Sequence, residues 1–155
     1  MRFLWGKDTA LTYLCRMGIW LGLDVGAVRT GLAESDPLQS MAFPVGCHRT
    51  AEIMTHLSQT YQIQDLEGIV LGLPKNLQGQ ETEGSQHARQ LGVQIQALWP
   101  ELTIHWVDER YTSKIAAQAA HHAGAKARVK KDKGMLDAAA ASLILDSFLT
   151  QKNRP

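Results

Sequence analysis

The sequence predicts an α/β domain built on a mixed five-stranded sheet, a three-strand meander followed by βα units, with helices flanking it. Three observations carry that expectation. Three short strand-like runs follow one another between residues 19 and 47, and Gly26 offers a turn that makes a hairpin of the first two. Leu66 to Leu73 (LEGIVLGL) is a continuous apolar run, the pattern of a strand covered on both faces. Beyond it helix and strand patterns alternate, which requires crossover connections and parallel pairing.

Each element has its own local reason. Ile19 to Asp24 is an apolar run that ends in a carboxylate and a glycine, as a buried strand meeting a turn should. Arg29 to Glu34 and Met41 to Cys47 supply the second and third strands. Thr50 to Tyr61 places Ile53, Met54 and Leu57 at helical spacing, with Thr50 as the expected N-cap. Pro74 stops the buried strand. Glu83 to Leu98 sets Ala88, Leu91, Ile95 and Leu98 on one helical stripe. Leu102 to Val107 reads as the last strand, with Asp108 and Glu109 at its C-terminal end. Thr112 to Ala123 is an alanine-rich helix capped by Thr112 or Ser113. Met135 to Leu149 is the final helix, with Asp137 expected in its first turn.

The chain has 155 residues, which suits one domain at about 100–200 residues per domain. Residues 1–16 lack a clear pattern and precede Met17, which stands directly before the first strand. They are expected to form a peripheral arm on a domain spanning 17–155. Hydrophobic residues make up 45% and charged residues 20%, a balance that supports a core and argues against a disordered tail. Cys15 and Cys47 are too few for a disulfide scaffold and lack metal-ligand spacing, so reduced thiols in a cytoplasmic protein are expected. Lys7, Asp8 and Arg16 interrupt any signal-peptide core, and no window approaches the roughly 20 apolar residues of a membrane span.

The net charge of +1 hides an uneven distribution. Lys126 to Lys133 (KARVKKDK) holds Lys126, Arg128, Lys130, Lys131 and Lys133 against Asp132, a local charge of +4 on a body of about −3. Such a basic segment suits a phosphate-bearing partner, although on charge alone a solvated loop is the plainer explanation.

Three acidic positions fall where α/β active sites are built. Asp24 ends a buried strand, where a charge is costly unless it is solvated, paired or bound to a metal; taken alone, an aspartate capping its own turn is the plainer explanation. Asp108 and Glu109 are adjacent on a strand, so only one of them faces a shared site; an ion pair with Arg110 is the plainer explanation for either. Asp137 shares a helix face with Ala140, Ala141 and Ile144, or it compensates the helix dipole. Together, the three suit a hard divalent cation and phosphodiester cleavage. Gly72-Leu73-Pro74-Lys75-Asn76 lies at the C-terminal end of the buried strand, where α/β sheets place ligands. Lys75 and Arg110 are the expected phosphate contacts there. The six histidines form no metal motif, and no Ser-His-Asp set or Walker loop is present.

Four blocks now point to a family. GLDVGAVRTGLAESDP (Gly22–Pro37), IVLGLPKNLQGQETEG (Ile69–Gly84), VDERYTS (Val107–Ser113) and KGMLDAAAASLIL (Lys133–Leu145) resemble the YqgF/RuvX family. These are Holliday-junction-resolvase-like proteins, also described as candidate pre-16S rRNA nucleases. The blocks occur in family order from Gly18 to about Gln151; residues 1–16 lie outside the resemblance.

The resemblance implies an RNase H-like fold and metal-dependent phosphodiester hydrolysis. By position it makes Asp24 the first-strand acid, Glu109 the acid of the Asp-Glu-Arg motif and Asp137 the last-helix acid, together holding Mg²⁺ or Mn²⁺. Asp108 is retained in the motif as a less certain ligand. Val28 departs from the lysine common in Gly-x-Lys-Arg-x-Gly, although Arg29 remains. Arg29, Lys75, Arg110, Lys126, Arg128, Lys130 and Lys131 would position a nucleic-acid backbone. The implied role is maturation of the 5′ end of 16S rRNA in ribosome biogenesis, by a cytoplasmic monomer or homodimer with no membrane partner. Holliday-junction resolution on branched DNA is the alternative with the same chemistry. A non-catalytic RNA-binding module is another, against which the retained acids argue. Asp24-Val25-Gly26 also resembles the phosphate hairpin of actin-like ATPases, but those enclose ATP between two such domains and this chain has room for one.

Overall fold

The computed structural model describes residues 17–110 and 133–155. The expected arm at 1–16, the helix at Thr112–Ala123 and Lys126, Arg128, Lys130 and Lys131 lie outside the described residues. Five strands, β1 (Ile19–Val25), β2 (Arg29–Ser35), β3 (Ala42–Arg49), β4 (Leu66–Leu73) and β5 (Thr103–Asp108), form one sheet in the order β3-β2-β1-β4-β5. β1, β2 and β3 are antiparallel neighbours, whereas β4 and β5 run parallel to β1. The helices are α1 (Ile53–Thr60), α2 (Glu83–Leu98) and α3 (Lys133–Lys152). This is the mixed α/β sheet that the sequence predicts.

Strand periodicity divides the core into two layers. Leu21, Leu23 and Val25 of β1 and Ile69, Leu71 and Leu73 of β4 point to the face covered by α1 and α2, where Ile53, Leu57, Leu91 and Ile95 meet them. Trp20 and Val70 point the other way, against Ala141, Ile144, Leu145, Phe148 and Leu149 of α3. Burial of each large side chain contributes about 1.5–3 kcal/mol, so both faces of the central strands hold the helices in place. That two-sided cover is why β4 reads as an unbroken apolar run.

α3 lies unusually close to the sheet. A Cβ at Gly22 would come within 2.7 Å of Leu145 Cβ and 2.9 Å of the Ala141 carbonyl oxygen, and one at Gly31 would collide with the Asp137 carbonyl. Glycine at these two places lets the helix backbone rest on β1 and β2. The helix therefore delivers Asp137 to the end of β1.

Several expected boundaries move. α1 starts at Ile53, preceded by a 3₁₀ turn at Thr50–Glu52, and Thr50 is not its N-cap. The Thr50 hydroxyl instead donates to the Gly26 carbonyl at 2.7 Å and meets Thr30 Oγ1 at 2.9 Å, tying β3 to the first hairpin. β3 runs on to Arg49 because its pairing with β2 continues to the Arg29↔Arg49 pair. α3 begins at Lys133, so Asp137 lies beyond its first turn and dipole compensation does not account for it. Of the described helices none is long and apolar enough to cross a membrane.

Candidate active site

The alternation that builds the core also aims the acids. Asp24 has the same parity as Trp20 and Gly22, so it faces α3 from the C-terminal end of β1. On β5, Ile104 and Trp106 pack toward α1 and α2, while Val107 packs toward α3. Glu109 follows Val107 in parity, and Asp108 follows Trp106. Glu109 then folds back over β4: a side chain at Gly72 would strike the Glu109 carboxylate. One backbone bond, Glu109 N–H to the Leu73 carbonyl at 3.3 Å, holds this turn against the end of β4.

Asp24 and Glu109 meet through a hydrogen bond between their carboxyl groups. Burial is the largest cause that pushes Glu109 up, to about 7, and the neighbouring Asp24 charge adds to it. Asp24 is also raised, first by burial and then by the charge of Asp137, although its bond to Glu109 works in the opposite direction. Asp137 completes the acidic face. Its Oδ2 accepts from Arg29 Nε at 2.8 Å and from the Cys47 thiol at 3.5 Å.

Asp108 belongs to a separate arrangement. Its carboxylate takes Arg110 Nε at 3.0 and 3.1 Å, Arg110 Nη2 at 2.7 Å and the Arg110 backbone N–H at 3.0 Å. Lys75 Nζ stands 3.8 Å from the same carboxylate. These cations, Arg110 foremost, hold Asp108 below the usual carboxylate range. The structure thus brings Asp24, Glu109 and Asp137 to one edge, with Arg29 on Asp137, and turns Asp108 to the other face with Lys75 and Arg110 beside it.

The Arg29–Asp137 pair and the β1–β2 turn (Gly26, Ala27, Val28) line an open cavity of about 460 Å³. Among the described residues no three His, Cys, Asp or Glu side chains are spaced to hold a metal ion together. Asp137 is instead paired with Arg29 at 2.8 Å. Cys47 and Thr50 are the site residues that sequence patterns do not reveal. Their proximity depends on the Gly31↔Cys47 pairing of β2 with β3 and on the Thr50 hydroxyl reaching the first turn.

An RNase H-like sheet with carboxylates at the C-terminal ends of β1 and β5 and on the last helix defines the class of protein. Residues 18–151 match the family model RuvX, described as Holliday junction resolvase, and the chain belongs to that family of nucleases. A relative from Porphyromonas gingivalis, named "Putative pre-16S rRNA nuclease", is 33% identical over 138 residues, 89% of this chain and 100% of its own length. One of the same name from Cutibacterium acnes is 38% identical over 141 residues, 90% of this chain and 86% of its own. Among solved structures, T. thermophilus RuvC in complex with Holliday junction substrate matches with a TM-score of 0.50 and 13% identity. That match covers 87% of this chain and 95% of the other, a likeness of fold.

Proposed function

We propose that this chain is a metal-dependent nuclease that hydrolyses phosphodiester bonds in structured nucleic acid, maturing the 5′ end of 16S rRNA in the cytoplasm. The observation that supports this reading is the half-buried Asp24–Glu109 pair with Asp137 facing it. Two carboxyl groups with raised proton affinity, crowded at the C-terminal ends of the parallel strands β1 and β5, form a site that favours positive charge.

The donor chemistry fits Mg²⁺ or Mn²⁺. Such ions take oxygen ligands, commonly one or two carboxylates plus substrate phosphate, so a set of three acids is not required. Asp24 and Glu109 would hold the ion, and Asp137 would join them on release from Arg29. When bound, the ion polarises the phosphate and makes water a better nucleophile. The chain's own residues do the rest. Glu109, which holds a proton up to about pH 7, surrenders it as the site gains positive charge. Arg29, Lys75 and Arg110 bind the phosphates on either side and fix the backbone. Asp108 keeps the Arg110 guanidinium oriented for that contact.

The test offers precursor 16S rRNA and a four-way DNA junction to the purified chain with Mg²⁺, with Mn²⁺ and with chelator. Asp24→Asn keeps the side-chain size and removes the charge, so cleavage should vanish while binding and the melting temperature hold. Cleavage that survives both chelation and Asp24→Asn overturns the reading. Binding without cleavage under every condition supports the non-catalytic module instead. Paired, symmetric cuts in the junction with intact precursor rRNA would assign the chain to junction resolution, as a homodimer.

A further inference from the structure

A second cavity, of about 270 Å³, adjoins the one lined by Arg29 and Asp137. Ala27 in the β1–β2 turn belongs to both. The other walls of the second cavity are Thr50 and one face of α2, from which His87, Gln90, Leu91 and Gln94 line it. Among the described residues no Lys, Arg, Asp or Glu side chain borders it, in contrast to its neighbour. A lining of two amides and an imidazole beside the buried Leu91 favours a neutral, planar group over a phosphate or a metal ion.

The walls are fixed to one another and to the catalytic edge. Thr50 N–H donates to the Val28 carbonyl at 2.9 Å, and its hydroxyl donates to the Gly26 carbonyl at 2.7 Å. α2 starts against the C-terminal end of β4, where Thr82 Oγ1 donates to the Pro74 carbonyl at 3.3 Å and Ser85 Oγ donates to the same oxygen. His87, Gln90 and Gln94 follow at i, i+3 and i+7 spacing, so they share one helix face. Gln96 on the same helix uses its amide within the fold, donating to the Pro100 carbonyl at 2.7 Å. His87, Gln90 and Gln94 make no hydrogen bond to the described residues. A solvent-facing glutamine is ordinary on a helix. Here two of them share one hollow with an imidazole, directly beside the acidic site.

We infer that this cavity takes a nucleobase next to the scissile phosphate and reads it as adenine. A strand held by Arg29 passes the turn at Gly26 and Ala27, whose small size lets it reach the hollow beyond. A glutamine amide sets a donor beside an acceptor, and adenine presents N7 and the N6 amino group in the matching arrangement. His87 adds a ring on which the base stacks. Phosphate contacts carry no sequence information, so the cations of the site position the strand and this cavity supplies the base preference. The inference rests on the nuclease reading above and deepens it.

The test uses two pools: a precursor 16S rRNA fragment randomised on both sides of the mature 5′ end, and a four-way DNA junction randomised at the crossover. In chelator, sequencing of the bound fraction should show adenine enriched about tenfold at one position in at least one pool, as a single bidentate amide contact gives. With Mg²⁺ the cleaved products should carry the same preference. Q90A/Q94A should flatten both profiles, with the melting temperature kept because both glutamines are exposed. Q90E or Q94E should move the preference toward cytosine, whose N4 amino group donates to a carboxylate. A purely structural role for this helix face would weaken binding without changing which base is preferred. Flat wild-type profiles in both pools, or an adenine preference unchanged in Q90A/Q94A, overturn the inference. Enrichment of another base overturns the assignment to adenine. Free adenosine that binds the chain while both profiles stay flat would give the cavity to a free ligand instead. A base preference in binding without cleavage would overturn the nuclease reading and leave the cavity's role standing; cleavage with flat profiles would do the reverse.

Discussion

The Glu109 carboxyl meets that of Asp24, so the charge of an acid on the first strand raises the proton affinity of an acid beyond the last. The pKa of Glu109 is raised in the fold, to about 7 from a usual 4.5. The folded chain therefore binds more protons than the unfolded chain between those values. Its contribution to stability is full below about pH 4.5 and is lost as pH rises through 7.

Glu109→Gln removes that dependence. In chelator at pH 8 the variant should be more stable than the wild type by about 1–2 kcal/mol, a value reduced for solvent screening at the open rim of the site. The advantage should shrink below pH 5. Thermal melts at both pH values check this, and equal melting temperatures at pH 8 would show that the pair carries no strain.

Most of this pairing was legible in the sequence. The apolar run ending in Asp24 and the parity rule on β5 place both acids at one edge, and parity alone sends Asp108 and Glu109 to opposite faces. The choice between those faces was carried by the family resemblance; in the structure, the packing of Val107 against α3 and the glycine at position 72 turn Glu109 toward Asp24. What the sequence hid depends on chain segments approaching one another. Arg29 pairs with Asp137 across two elements, and Cys47 reaches the same carboxylate only through the β2–β3 register. Local periodicity reports which face a residue takes and carries no signal for its partner. The capping role expected of Thr50 failed for that reason, since its hydroxyl is used by the Gly26 turn.

Asp108 and Glu109 should separate in kinetics. Asp108→Asn weakens the hold on Arg110 and leaves the Asp24–Glu109 pair in place, so cleavage should fall by about tenfold or less, chiefly through weaker substrate binding. Glu109→Gln should abolish it. A single-turnover assay at saturating enzyme distinguishes the two, and equal losses would place Asp108 among the reacting groups.

Gly31→Ala tests the approach of α3 to the sheet. Its methyl group would collide with the Asp137 carbonyl, at a cost of about 1–3 kcal/mol, and would push Asp137 away from Asp24. Gly46→Ala is the control on the neighbouring strand, where the nearest atom, His48 Nε2, is 3.8 Å away. Urea titrations should show a large shift of the midpoint for Gly31→Ala and almost none for Gly46→Ala. Cleavage should fall only in the former.

The segment from Lys126 to Lys133 carries the densest positive charge in the chain and runs directly into α3, four residues before Asp137. Phosphate contacts release condensed counterions, so affinity falls with salt in proportion to the number of contacts, at about 0.7–0.9 per phosphate neutralised. Replacing Lys126, Arg128, Lys130 and Lys131 with glutamine should flatten the slope of log affinity against log salt by about 3, if each of the four meets one phosphate. The loss should be similar across sequences, because a phosphate contact carries no base information. Arg29, Lys75 and Arg110 should account for the salt dependence that remains. Binding measured by fluorescence anisotropy from 50 to 300 mM salt (~Debye lengths of 14 down to 6 Å) covers the range in which this effect is large. A slope unchanged by the four substitutions would show that the segment is solvated in the complex, and that Arg29, Lys75 and Arg110 carry the electrostatic affinity alone.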